Sequence, residues 1–132
     1  MSLHYVDTSA LVKLVIAARE TPALFEWLRS PGRELITCDL SRTELMRAVV
    51  RASPERAPRV RDVLSQLTLV TVATTDFDVA GRLSPPAVRS LDAIHLAVAL
   101  SLGDELRSIV TYDHRMRDAA VVSGLRCESP GG

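Results

Sequence analysis

Short apolar runs alternate with stretches of helical period along the whole chain, and this alternation limits the possible folds more than any other feature. "LHYVD", "ELITCD", "TLVTVA" and "SIVTYD" are too short for stable helices and rich in β-branched or aromatic residues, so they read as strands. "LRCES" reads as a short strand at the edge. Between them lie "TSALVKLVIAARE", "ETPALFEWLRS", "SRTELMRAVVRAS", "SPERAPRVRDVLSQL", "TDFDVAGRL", "LDAIHLAVALSLG" and "HRMRDAAVVSG", all read as helices. Ala10, Leu11, Leu14 and Val15 make one apolar stripe, opened by Thr8 or Ser9. Leu24, Phe25 and Leu28 make another, and Val60, Val63, Leu64 and Leu67 a third. "SPPAVRS" is a loop, because paired prolines cannot continue a helix. Strands that are apolar almost throughout are buried on both faces. The expectation is one α/β domain over residues 1–132, in a three-layer α/β/α arrangement. Its sheet is mostly parallel, with four to five strands. The tail "SPGG", residues 129–132, is expected to be disordered.

Composition excludes more than it selects. Sixteen basic and sixteen acidic residues leave no net charge, so nothing in the total favours a nucleic-acid or membrane partner. Lys13 is the only lysine, which removes any mechanism that needs a lysine late in the chain. Cys38 and Cys127 are far apart, without a CxxC pair or a histidine cluster, and are read as reduced thiols. No signal peptide is visible and no apolar run approaches the roughly 20 residues of a membrane span. A soluble, cytoplasmic protein is the expectation.

Parallel sheets of this kind bind ligands beyond the carboxyl ends of their strands. Asp7 ends the first strand and Asp113 the fourth, with Thr111 two residues earlier on the same side. Glu44 falls in the first turn of the helix after the second strand. Asp92 falls in the first turn of the helix after the proline loop. The topology gathers all four acids at one edge.

Each also has a local explanation. Glu44 closes "SRTE", which matches a capping box opened by Ser41. Asp92 complements a helix dipole, and Asp113 is an N-cap for "HRMRDAA". Asp7 is harder to explain locally, because Thr8 and Ser9 already supply caps. Taken together, four carboxylates in a small volume repel unless some bind protons or a cation. Oxygen donors suit Mg²⁺ or Mn²⁺, and the corresponding chemistry is metal-assisted phosphodiester hydrolysis.

The motifs "YVDTSALVKL", "SRTELMRAV", "LDAIHLAVA" and "IVTYDHRM", in that order, resemble those of the PIN-domain ribonucleases, especially the VapC toxins of bacterial toxin–antitoxin pairs. The resemblance covers essentially the whole chain. It implies the PIN fold and a divalent-metal-dependent endoribonuclease using Mg²⁺ or Mn²⁺. It also implies a homodimer and a VapB-type antitoxin whose carboxyl-terminal segment lies across the active-site groove. The family's acids fall at Asp7, Glu44, Asp92 and Asp113, and all four are present. Asp7 and Asp92 are then the core metal ligands, while Glu44 and Asp113 complete the site. Ser9 and Thr111 are expected to orient a carboxylate, a water or a phosphate. His95, one turn beyond Asp92, is assigned to packing or to the surroundings of the acids. Arg42 is a candidate phosphate contact, as are Lys13, Arg82, Arg89, His114 and Arg115. "RASPERAPRVR" reads as a solvated face or part of an RNA path. Trp27 is balanced between the core and the antitoxin contact. Asp76 and Asp78 are explained by the first turn of their helix.

Two other functions remain open at this level. A phosphoryl-transfer enzyme with a nucleophilic aspartate after its first strand would need a late lysine, and none exists. A non-catalytic PIN-like module that binds RNA or protein would be expected to have lost acids, and none is lost.

Overall fold

The computed structural model describes residues 1–132. Five strands form one sheet: β1 (Ser2–Val6), β2 (Arg33–Cys38), β3 (Thr68–Val70), β4 (Leu106–Val110) and β5 (Cys127–Glu128). Their order across the sheet is β3-β2-β1-β4-β5 and every pairing is parallel. Seven α-helices cross between them: α1 (Thr8–Val15), α2 (Thr21–Arg29), α3 (Leu40–Ala52), α4 (Pro58–Leu64), α5 (Thr74–Ala80), α6 (Ser90–Ser101) and α7 (His114–Val122).

Strand alternation divides the core in two. Val6 and Val110 face one side, joining Ala10, Leu11, Leu14, Leu24, Leu45, Val49 and Val60 under α1 to α4. Tyr5 and Ile109 face the other, joining Ile36, Cys38, Leu96, Val98, Met116 and Ala119 under α6 and α7. Helices therefore cover both faces, as near-continuous apolar strands require. The central strand β1 contributes to both cores, and Tyr5 pairs in register with Ile36 and Ile109.

Several expected boundaries move. The first helix stops at Val15 rather than continuing to residue 20. Thr21 explains the stop: its hydroxyl donates to the Lys13 carbonyl at 2.8 Å and accepts from the Ala18 N–H at 2.9 Å. The helix expected after Pro54 divides into a 3-10 turn, Pro54–Arg56, and α4, because Pro58 lacks the N–H that would continue it. The third strand has three residues, Thr68–Val70.

The tail expected to be disordered is instead tied down. Ser129 Oγ donates to the Thr111 carbonyl at 2.5 Å, and Tyr112 OH donates to the Pro130 carbonyl at 2.6 Å. The short β5 delivers the tail to this position, so residues 129–132 lie beside Tyr112 rather than free. Both cysteines are free thiols. No helix is long and apolar enough to cross a membrane.

Candidate active site

Asp7 follows the last residue of the central strand and occupies the N-cap position of α1, in extended backbone conformation. Its side chain caps nothing. Instead one oxygen, Oδ2, accepts the Ser9 hydroxyl at 2.8 Å and the Thr111 hydroxyl at 3.0 Å. The two hydroxyls are 3.2 Å apart and are themselves fixed, because the Tyr112 N–H donates to Ser9 Oγ and the Asp113 N–H to Thr111 Oγ1. The adjacent ends of β1 and β4 thus hold one buried carboxylate from two sides.

Asp113 does cap its helix, as the sequence indicates. Its Oδ1 accepts the N–H groups of Arg115 at 2.8 Å and Met116 at 3.2 Å. Its Oδ2 faces Arg89 Nη2 at 3.4 Å, and the same guanidinium approaches Asp92 Oδ2 through Nε at 3.6 Å. Arg89 therefore bridges two of the acids. Burial pushes the Asp92 carboxyl above the usual range and the charges of Asp7 and Asp113 push it further, with Arg89 opposing. These three aspartates are electrostatic neighbours.

Glu44 stands differently. The capping box is not formed: α3 begins at Leu40, and Ser41 Oγ bonds Thr37 Oγ1 at 2.7 Å inside the core. Glu44 Oε1 instead accepts the Thr8 hydroxyl at 2.9 Å and lies 2.5 Å from His95 Nε2. Behind it, His95 Nδ1 is 2.6 Å from the Tyr5 hydroxyl and 3.6 Å from Cys38 Sγ. Burial opposes a charged ring here, yet the bonds to Cys38 and Glu44 raise His95 to about 10. Burial likewise pushes Glu44 up, but His95 and the Thr8 hydroxyl outweigh it and hold the carboxyl below its ordinary range. Both directions favour an imidazolium donating to a carboxylate.

The four acids do not close into a cage. No group of three or more His, Cys, Asp or Glu side chains is set closely enough to hold a metal ion as it stands. The expected tight convergence is corrected here: Asp113 is drawn to the start of α7 and Glu44 to His95. The donor chemistry still fits a hard cation. Donors converge on Asp7 Oδ2, Glu44 Oε1 and Asp113 Oδ1, leaving the second oxygen of each without a bond or facing only Arg89. No buried side-chain oxygen lacks a partner, so the free oxygens of Asp7 and Glu44 reach solvent. The open oxygens of Asp7 and Glu44, beside Asp92 and Asp113 whose Oδ2 atoms face the exposed Arg89, suit Mg²⁺ or Mn²⁺, which take one or two carboxylates and keep water.

Arg42 is not brought to the acids. It pairs with Asp39 at 3.8 Å and lines an outer hollow with Met46, Val60 and Leu64, because it lies two residues before Glu44 and on another face of α3. Trp27 packs edge-on against His4 at 4.8 Å and beneath Arg33, so it is held within the fold. Two contributions escape sequence reasoning: the Thr8 hydroxyl, which reads as a helix cap, and the Tyr5 hydroxyl, which reads as a core ring. The only signal for either was a hydroxyl at the carboxyl edge, or a residue next to it.

A family model described as PIN domain matches residues 4–122. The chain belongs to the PIN-domain family. Ribonuclease VapC47 of Mycobacterium tuberculosis is 40% identical to this PIN domain over 131 residues, covering 96% of each chain. Ribonuclease VapC46 of the same species is 40% identical over 130 residues, covering 98% of this chain and 99% of the relative. This PIN domain therefore falls with the VapC proteins. Among solved structures, VapC20 of M. tuberculosis superposes with a TM-score of 0.73 at 17% identity, covering 88% of this chain and 94% of that one. VapBC2 of Rickettsia felis, bound to a DNA fragment from its promoter, gives 0.73 at 12% identity, covering 96% and 97%. At those identities the likeness is one of fold.

Proposed function

We propose that this PIN domain is a divalent-metal-dependent endoribonuclease and the toxin of a toxin–antitoxin pair, with Asp7, Asp92, Asp113 and Glu44 at its active site. The observation that carries the reading is the pair of open carboxylate oxygens on Asp7 and Glu44 at the carboxyl edge of the sheet, each on a side chain whose other oxygen is bonded by the protein. Relatives named as ribonucleases, alike over nearly the full length, support the reaction class.

Asp7, Asp92 and Asp113 would hold Mg²⁺ or Mn²⁺ through oxygen, with Glu44 facing the same groove. The ion supplies a lowered pKa for bound water and charge stabilisation at the phosphoryl oxygens. The chain's own groups do the rest. Ser9 and Thr111 fix Asp7, so its open oxygen keeps one direction. Arg89, 62% exposed along its side chain, can leave the aspartates for a substrate phosphate. Glu44, held ionised, presents an acceptor oxygen to the groove.

The partner is a VapB-type antitoxin, and the solved toxin–antitoxin complexes of this fold support it. An apolar hollow of about 400 Å³ lined by Leu11, Leu14, Phe25, Leu28, Leu35 and Val63 fits the apolar face of a partner helix. A homodimer and a cytoplasmic setting complete the proposal. A non-catalytic module is disfavoured by the bonds spent on orienting Asp7 and Glu44.

The test is RNA cleavage with Mn²⁺ by the wild type and by Asp7→Asn, which keeps an acceptor for the two hydroxyls. Loss by on the order of 100-fold or more is expected, beyond what losing an outer partner costs. Full activity in Asp7→Asn would sink the assignment.

A further inference from the structure

We propose that His95 is a positioning residue that sets the Glu44 carboxylate in the active-site groove, with Tyr5 holding the ring from behind. The inference rests on the functional reading above and goes beyond it by separating Glu44 from the three aspartates.

His95 is 1% exposed, so it cannot touch RNA. Its Nε2 nonetheless lies 2.5 Å from a carboxylate whose side chain is partly exposed to solvent. Asp7 and Asp113 are short side chains fixed at a strand end and a helix start by hydroxyls or backbone N–H groups, and Asp92 is a short side chain in the first turn of α6. Glu44 has one more rotatable bond and projects from a helix, so nothing in its own backbone fixes its head. Thr8 and His95 supply that restraint, both on Oε1. Oε2 is left as the single oxygen available to a cation, a water or a substrate hydroxyl.

The ring itself is restrained in turn. The Tyr5 hydroxyl meets Nδ1 at 2.6 Å, and the two rings pack edge-on with centroids 5.8 Å apart. Tyr5 is fully buried on the central strand. A continuous line of contacts therefore runs from the central strand of the sheet to the Glu44 carboxylate on α3. A histidine needed only for packing would not require a carboxylate at one nitrogen and a hydroxyl at the other.

The experiment compares wild type, His95→Leu, His95→Gln, Glu44→Gln and the His95→Leu/Glu44→Gln double variant. RNA cleavage is measured with Mn²⁺ present, and Mn²⁺ binding by calorimetry. His95→Leu fills the space without a donor, and kcat is expected to fall about 10- to 100-fold with KM little changed. His95→Gln places an amide N–H near the lost Nε2 and is expected to restore most of that loss. In the Glu44→Gln background, His95→Leu is expected to add almost nothing, because one residue acts through the other. Wild-type cleavage by His95→Leu overturns the proposal, as do losses that multiply in the double variant. If melting shows that His95→Leu does not fold, Tyr5→Phe takes its place: a lowered kcat at constant KM supports the proposal, and an unchanged kcat overturns it. A wild type that neither cleaves RNA nor binds Mn²⁺ overturns this inference and the functional reading together.

Discussion

Asp92 carries a conflict that the other acids avoid. Asp7 receives two hydroxyls, Asp113 two backbone N–H groups, and Glu44 a hydroxyl and an imidazolium. Asp92 has only an exposed guanidinium, while its burial and two neighbouring aspartates work against its charge. Its pKa is raised in the folded chain, so its contribution to stability is present at low pH and lost as pH rises through that raised value. Removing the charge should therefore stabilise the metal-free protein. Asp92→Asn is expected to melt higher than wild type at pH 7 without metal, and to lose most of any Mn²⁺-induced rise in Tm. Differential scanning calorimetry with and without Mn²⁺ reads both effects. A lower Tm in the metal-free variant would contradict the repulsion.

At the scale of elements, α3 carries more than its place in the core. Leu45 and Val49 bury one face. Arg47 and Arg51 follow Glu44 by three and seven residues, so the three form one stripe leading from the groove. Both arginines are exposed and neither forms an ion pair. Segment 42–62 holds six arginines against three acids, in a chain of zero net charge. The local field is thus positive beside the acidic edge. The charge-removing pair Arg47→Gln and Arg51→Gln is expected to weaken binding of single-stranded RNA. Each arginine that contacts a phosphate should reduce the dependence of log K on log salt by about 0.7. Measuring the salt slope on the inactive Asp7→Asn background separates binding from cleavage. An unchanged slope would remove this helix face from the substrate path.

For the whole molecule, pH should act through the contact between α3 and α6. His95 is raised from 6.5 to about 10, so its stabilising share is complete below 6.5 and lost as pH rises through about 10. Glu44 is depressed, so its share is present above about 4.5 and lost as pH falls through its lower folded value. For this pair, stability should be greatest between those limits. The metal-free protein is expected to lose Tm steadily between pH 6.5 and 10, and His95→Gln should flatten that loss. A wild-type Tm independent of pH over this window would contradict the imidazolium–carboxylate pairing.

The layer architecture, the parallel sheet and the four acids near its carboxyl edge were legible from local pattern alone. Those follow from short-range facts: a period of two against 3.6, strand ends and helix starts, although Glu44 lies beyond the first turn of α3, which begins at Leu40. Asp113 as a helix cap was legible for the same reason. What the four acids do to one another was not. The apparent capping box fails because α3 begins at Leu40, ahead of Ser41, and Glu44 is bonded instead by Thr8 and His95, 36 and 51 residues away, once the chain closes. Helix α1 ends early because a threonine eight residues beyond Lys13 takes its carbonyl, and residues 129–132 are ordered because a two-residue strand delivers them to Thr111 and Tyr112. Tyr5 read as core and is core, yet its hydroxyl ends on His95. Local pattern fixes where a backbone places a side chain; hydrogen bonds between distant segments decide which of its atoms remain free, and only the folded chain brings those segments together.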